Sequence, residues 1–207
     1  MRALFITAAA ALLLPISACS NSANGQETAQ IVSAADLPEG NWTINKNAST
    51  LGFSGTQKGS VFSGQFKSFD ASINFDPDNL TSSDVIVIVD MSSADTGDAE
   101  RDSALPGVEW FAVGAYPTAE FKTSNITKIA NEANGARYMA KGELTIKDKT
   151  LPVQMPFSLS IDGNIATMSG SLELDRTSYQ VGTGTWSKGE WVEKAVKVNV
   201  QVKATKS

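Results

Sequence analysis

The residues that most often do chemistry are nearly missing from this chain. Its 207 residues include no histidine and one cysteine, Cys19. With that thiol otherwise engaged, Ser-His-Asp triads, Cys-His pairs, Cys/His zinc sites and axial haem histidines are all excluded. Catalysis would have to rest on carboxylates, Lys, Tyr or an unassisted hydroxyl. A carboxylate enzyme needs two such groups converging in a cleft with their pKa values pushed apart, and no spacing here suggests that. Asp95, Asp98, Glu100 and Asp102 form an acidic cluster of the kind that invites calcium. The spacing does not match an EF-hand, and Asp95 or Asp98 at a helix N-terminus explains itself as a cap. No catalytic residue, metal ligand or cofactor is expected, so the composition points to a binding protein. Two arginines stay open to either of two roles. Arg101, beside Asp102, and Arg176, in the turn Asp175-Arg176-Thr177, either fix their loops or face a ligand headgroup.

Cys19 has its own chemistry, set by what precedes it. Arg2 and the initiator amine make a positive n-region, Ala3 to Leu14 an apolar h-region, and Ser17-Ala18 a small-residue cleavage site. The apolar run is shorter than the roughly 20 residues needed to span a bilayer. Ile16-Ser17-Ala18-Cys19 resembles the lipobox of bacterial lipoproteins, in which the cysteine is acylated and becomes the first mature residue. The alternative is an ordinary secretory leader with an incidental cysteine. Residues 1–18 are therefore expected to be a signal peptide, 19–39 a polar flexible tether, and 40–207 one folded domain. Removing residues 1–18 takes away Arg2 and moves the net charge from −5 to −6. A pI near 4.8 argues against nucleic acid and against attraction to anionic lipid, so membrane attachment would rest on acyl chains. At about 5–6 Å × √n, the tether would hold the domain on the order of 25 Å from the membrane. Ser20 lacks the aspartate that retains lipoproteins in the inner membrane of enteric bacteria, so a periplasm-facing place on the outer membrane is expected.

From Trp42 onward the apolar residues alternate. Val196, Val198, Val200 and Val202 interleave with Lys197, Asn199, Gln201 and Lys203, which is one buried face and one wet face. The run 153–161 repeats the pattern, with Pro156 marking an edge or a bulge. Phe62, Phe66 and Phe69 lead into Ala71, Ile73 and Phe75. Further strands fit 42–44, 50–55, 119–126, 138–146 and 166–174. Val85 to Val89 is unbroken apolar and should be covered on both faces. Asp162-Gly163-Asn164 reads as a hairpin turn. Helix is expected only between Thr96 and Val113, as one or two short turns. About eight strands and so little helix give an all-β antiparallel barrel or sandwich. Its inner face would carry Phe53, Phe62, Phe66, Val87, Met91, Phe121, Met139, Met155 and Phe157. A barrel of this size is either filled by such side chains or holds one small ligand, and periodicity does not choose. Trp186 and Trp191 flank a hairpin tip; they cover one barrel end or touch a ligand or membrane interface.

Several stretches taken in order resemble the YceI-like family of bacterial periplasmic proteins. They are Trp42-Thr43-Ile44, Ser49 to Phe53, Phe62 to Phe69, Ile73 to Pro77, Arg101 to Leu105, Trp110-Phe111, Tyr116 to Phe121, Gly142 to Lys147 and Leu174-Asp175-Arg176. The resemblance covers residues 41–203. It implies a lipocalin-like antiparallel β-barrel whose apolar interior holds a polyisoprenoid chain or quinone tail for storage or transport, without chemistry. The Phe- and Met-rich face then becomes a candidate tunnel wall, and Arg101 and Arg176 candidate headgroup contacts. Many relatives carry histidine where this chain has Ala48 and Ser103-Ala104, so any headgroup or metal contact made there cannot operate here. The rival expectation is a scaffold lipoprotein with a side-chain-filled barrel.

Overall fold

The structure, a computed structural model, describes residues 33–207; Cys19 and the expected leader lie outside them. Eleven strands follow one another as β1 (Trp42–Ile44), β2 (Thr50–Gln57), β3 (Ser60–Phe66), β4 (Phe69–Asn74), β5 (Asp84–Asp90), β6 (Ala94–Asp95), β7 (Thr118–Glu132), β8 (Gly135–Ile146), β9 (Lys149–Asp162), β10 (Ile165–Asp175) and β11 (Ala195–Lys206). All pairings are antiparallel, and β11 closes the sheet onto β1. The eleven segments make eight strand lines around a closed barrel, because three lines are broken. A 3-10 turn at Lys46–Ala48 separates β1 from β2, Lys67-Ser68 separates β3 from β4, and a 3-10 turn at Met91–Ser93 separates β5 from β6.

Turn chemistry sets the hairpins. Lys58 and Gly59 both have positive φ, at 50° and 77°, the pattern of the two-residue turn whose twist matches its strands. Gly163 at φ 58° opens the turn between β9 and β10, as the sequence suggests. Pro156 also behaves as expected of a residue without an N–H. The ladder between β9 and β10 runs only from Asp162–Ile165 to Phe157–Gly170, so Pro156 sits just beyond its end. Among the described residues the single α-helix, α1 (Ala99–Ala104), starts at Asp98, whose carboxylate accepts the Arg101 N–H.

One end of the barrel is plugged. Trp42, Phe75, Tyr138 and Phe157 are buried there, with Tyr138 stacked on Phe157 at 5.3 Å and edge-on to Phe75 at 5.4 Å. The Trp42 indole N–H donates to the Phe75 carbonyl at 3.0 Å, which satisfies the polar atom of that ring. Residues expected in the tether do not all stand free. A 3-10 turn at Ala34–Asp36 lies against β4. In the apolar run of β5, Val85, Val87 and Val89 face inward, and Ile88 is buried on the opposite face while Ile86 is partly covered.

Candidate functional site

Between the plug and the opposite end the barrel encloses a cavity of about 440 Å³ with an almost wholly apolar lining. Its middle is built by strand parity. Val196, Val198, Val200 and Val202 of β11 all point into it, and each is only half-buried although it faces the interior. Across the described residues no large side chain is fully buried. A barrel filled by its own side chains would bury such residues completely, because protein interiors pack to crystal density. The volume lies within the roughly 300–1,000 Å³ typical of small-molecule sites.

Eight of the nine residues expected on the inner face line this cavity: Phe53, Phe62, Phe66, Val87, Met91, Phe121, Met155 and Phe157. Met139 does not. In β8 the buried positions are Ala136, Tyr138, Ala140 and Gly142, so Met139 has the other parity and faces outward between Thr127 and Pro156. Tyr138-Met139-Ala140 is apolar at every position, which hides the phase of the alternation.

The lining turns polar beside α1. Arg101 lies over the Phe62 ring at 4.9 Å, donates to Thr96 Oγ1 at 3.3 Å and to Gln57 Oε1 at 3.2 Å, and sits 3.6 Å from Asp98. Its ion-pair partner is thus Asp98 rather than the adjacent Asp102, which accepts from the N–H and hydroxyl of Thr96. Arg101 lines the cavity, and among the described residues its guanidinium donates two hydrogen bonds, leaving donors unused. The acidic cluster is dispersed by these bonds. Asp98 caps α1, Asp95 pairs with Lys67, and no group of acidic residues able to hold a metal occurs among the described residues.

Arg176 also lines the cavity, but its five N–H donors are all taken. Nε donates to the Glu193 carbonyl, Nη1 to Val181 and Gly182, and Nη2 to Trp186 and Val192, at 2.5–3.2 Å. It is 5 % exposed. Burial lowers its pKa, partly offset by Asp175, and a guanidinium remains charged. Its bonds gather residues 176–194 into a cap over this end of the barrel. Gly182 makes room: at φ 76° it favours glycine, and a Cβ there would meet Arg176 Nη1 at 2.0 Å. Glu109 ties the cap to the neighbouring loop. Its carbonyl accepts from the Gly182 and Thr183 N–H groups, and its carboxylate accepts from the Trp186 indole at 3.1 Å. Trp186 lines the cavity and packs on Trp110 at 5.5 Å, whereas Trp191 is half-exposed under Lys58. Gln57 and Glu109 escaped the sequence reading, since nothing local marks a lone polar residue as a partner for a distant loop.

The titration behaviour follows. The Arg101 backbone N–H holds Asp98 below the ordinary carboxylate range, the Lys67 ammonium does the same for Asp95, and the Thr177 hydroxyl for Asp175. A depressed pKa contributes stability above the unfolded value, about 3.9, that is lost as pH falls through the lower folded value. The chain has no histidine, the side chain whose ordinary pKa lies nearest neutrality. The melting midpoint should therefore stay level from about pH 5.5 to 7.5 and fall only below about pH 4. A pH series by circular dichroism checks this; a slope between pH 6 and 7 would contradict it.

Comparison with known proteins agrees with this geometry. A family model described as a YceI-like domain matches residues 42–204. A UPF0312 protein of Vibrio cholerae is 33% identical over 111 residues, covering 54% of this chain and 53% of the relative. One from Yersinia pestis is 36% identical over 101 residues, covering 49% and 50%. The chain thus spans about half the length of the curated relatives it matches. Among solved structures, BcnA of Burkholderia cenocepacia is similar with a TM-score of 0.72 at 30% identity, over 78% of this chain and 99% of that one. A structure from Saccharophagus degradans described as a polyisoprenoid binding domain shares the fold, with a TM-score of 0.65 at 14% identity over 81% and 99%.

Proposed function

The chain belongs to the YceI-like family, and from that premise we propose that it holds one isoprenoid lipid, a polyprenyl chain or a quinone tail, inside the barrel. The observation that carries this reading is the apolar cavity, closed by an aromatic plug at one end and polar beside α1 at the other. Such a space suits a long apolar chain with a polar head. The chain is stabilised at about 25 cal/mol per Å² of apolar surface removed from water, while the head stays near polar groups. Arg101, with unused donors at the polar end, is the better candidate for head contact, since Arg176 has none free. The description of the Saccharophagus degradans relative supports the ligand class. Binding and carriage, rather than chemistry, fit a chain without histidine whose one cysteine, Cys19, precedes the barrel. The rival, a scaffold with a filled barrel, is disfavoured by inward valines that remain half-exposed.

The test is a melting curve with and without a polyprenol or an isoprenoid quinone. At a ligand concentration 100 times Kd, stabilisation should be about 2.7 kcal/mol, or about 5–10 °C for a domain of this size. No shift with either lipid would overturn the proposal.

We further propose that Cys19 is acylated and tethers the barrel to the bacterial envelope, beside the lipid pool it draws from. Cys19→Ser should leave the melting midpoint unchanged and move the protein from the membrane to the soluble fraction. Continued sedimentation with membranes would contradict the anchor.

A further inference from the structure

Among the described residues the ladder between β9 and β10 and the one between the first and second strand lines both stop short, and the two gaps are not alike. One lies between β9 and β10 beyond Pro156. It is packed shut: Tyr179 and Val181 of the cap are buried there against Leu151 of β9 and Leu174 of β10. The other lies between the first and second strand lines, where both lines break at the same level. β2 and β3 are paired from Gln57–Ser60 down to Leu51–Phe66, and β1 and β4 meet only at Trp42–Ile73. Between those points residues 43–50 face residues 67–72 without pairing. The 3-10 turn at Lys46–Ala48 bows out of one side, and the Lys67-Ser68 bend breaks the other. Ser49 turns its hydroxyl to the Asn45 carbonyl and the Lys203 N–H, so its bonds also lead away from the gap.

This seam is not filled. An outer pocket of about 240 Å³ occupies it, rimmed by Lys46, Ser49, Thr50, Gln65, Lys67 and Ser68. Phe66 and Phe69 line that outer pocket and the lumen alike, so these two residues lie between them. Among the described residues one bond crosses the gap, from Lys46 Nζ to Asp70 at 2.6 Å, and it is largely solvent-exposed. An exposed ion pair contributes only about 0–1 kcal/mol, so the seam is held weakly. The first described residues, with their turn against β4, lie beside this same wall.

We propose that this seam is a lateral portal, through which the isoprenoid chain passes between the lumen and the outside by displacement of Phe66 and Phe69. The inference rests on the lumen binding an isoprenoid. A side opening spares the chain from threading end-on past α1 and the cap. The polar rim suits the head during passage, before it reaches Arg101, with hydroxyls and lysine ammonium groups as donors. Gating of this kind sets the rate of exchange without setting the affinity.

The test separates rate from loading. Lys46→Cys and Asp70→Cys are introduced together in the Cys19→Ser background of the full chain and bridged by a short bis-maleimide. Transfer of a dansyl-labelled polyprenol from phosphatidylethanolamine vesicles is then followed by fluorescence, together with the amount bound at equilibrium. Bridging should slow transfer about tenfold or more at unchanged final loading. Asp70→Ala, which removes the crossing bond without touching the lumen, should speed transfer several-fold. Equal rates in the bridged, unbridged and Asp70→Ala proteins, with normal loading, would overturn the portal. No loading of the parent protein would instead overturn the lipid reading beneath it.

Discussion

Replacing Arg176 by Met should lower the melting midpoint by about 10 °C, the largest single-residue effect expected in this fold. The side chain is similar in length, so little packing is lost. What is lost is every donor to five backbone carbonyls, those of Val181, Gly182, Trp186, Val192 and Glu193. A buried acceptor left unpaired costs about 1–3 kcal/mol, and some of these carbonyls will relax toward water, so a total of about 3–5 kcal/mol is expected. The damage should be local before it is global. Arg176 bonds residues 176–194 to one another, while the segment reaches the rest of the fold through Glu109, through backbone bonds with Thr56 and Lys58, and through Lys147. Hydrogen exchange should therefore show protection lost first in that segment, with β7 to β9 unaffected. Arg176→Lys should rescue little, because three donors on one nitrogen cannot reach carbonyls spread around a planar fork. A variant as stable as the parent, with an unchanged exchange pattern, would show that the cap is held by other contacts.

Replacing Val198 by Trp should abolish isoprenoid binding, by at least about 100-fold in Kd, while costing less than about 1 kcal/mol of stability. Val198 sits mid-strand between Leu172 and Phe53 and points into the cavity. In a filled core such an insertion forces off-rotamer side chains and typically costs about 1–3 kcal/mol. In a hollow barrel the indole takes the place of the ligand, and the added apolar burial offsets the entropy of ordering it. Binding is thus lost while stability is largely kept only if the lumen is empty and used. A variant that unfolds, or one that binds lipid as before, would contradict the site. Ala71→Trp, on β4 beside Val87 of β5 and also lining the cavity, supplies an independent second case.

Much of this architecture is legible in the residues because alternation in a one-layer barrel has only one meaning. The valines of β11 identify the inner face without ambiguity, since lysine, asparagine and glutamine occupy the other parity. Where both parities are apolar the phase is lost, and Met139 was assigned inward for that reason. The count of eight strands matches the strand lines but not the eleven segments. The breaks at Lys46–Ala48, Lys67-Ser68 and Met91–Ser93 carry no glycine or proline to announce them. Arg176 could not be placed from sequence, because its partners are carbonyls, which every residue has. Nor could hollowness be read. A filled barrel and an open one need the same alternation, and the difference lies in how far Phe53, Val87 and Val198 reach across a space whose width only closure determines.

Native mass spectrometry of the protein, purified gently from the cells that make it, tests the central claim most directly. The expected spectrum shows a fraction of the protein heavier by one isoprenoid lipid, at a ratio approaching one per chain, with that fraction lost in Val198→Trp. A protein that is uniformly lipid-free, and that takes up neither polyprenol nor quinone when offered them, would contradict the lumen as a lipid site.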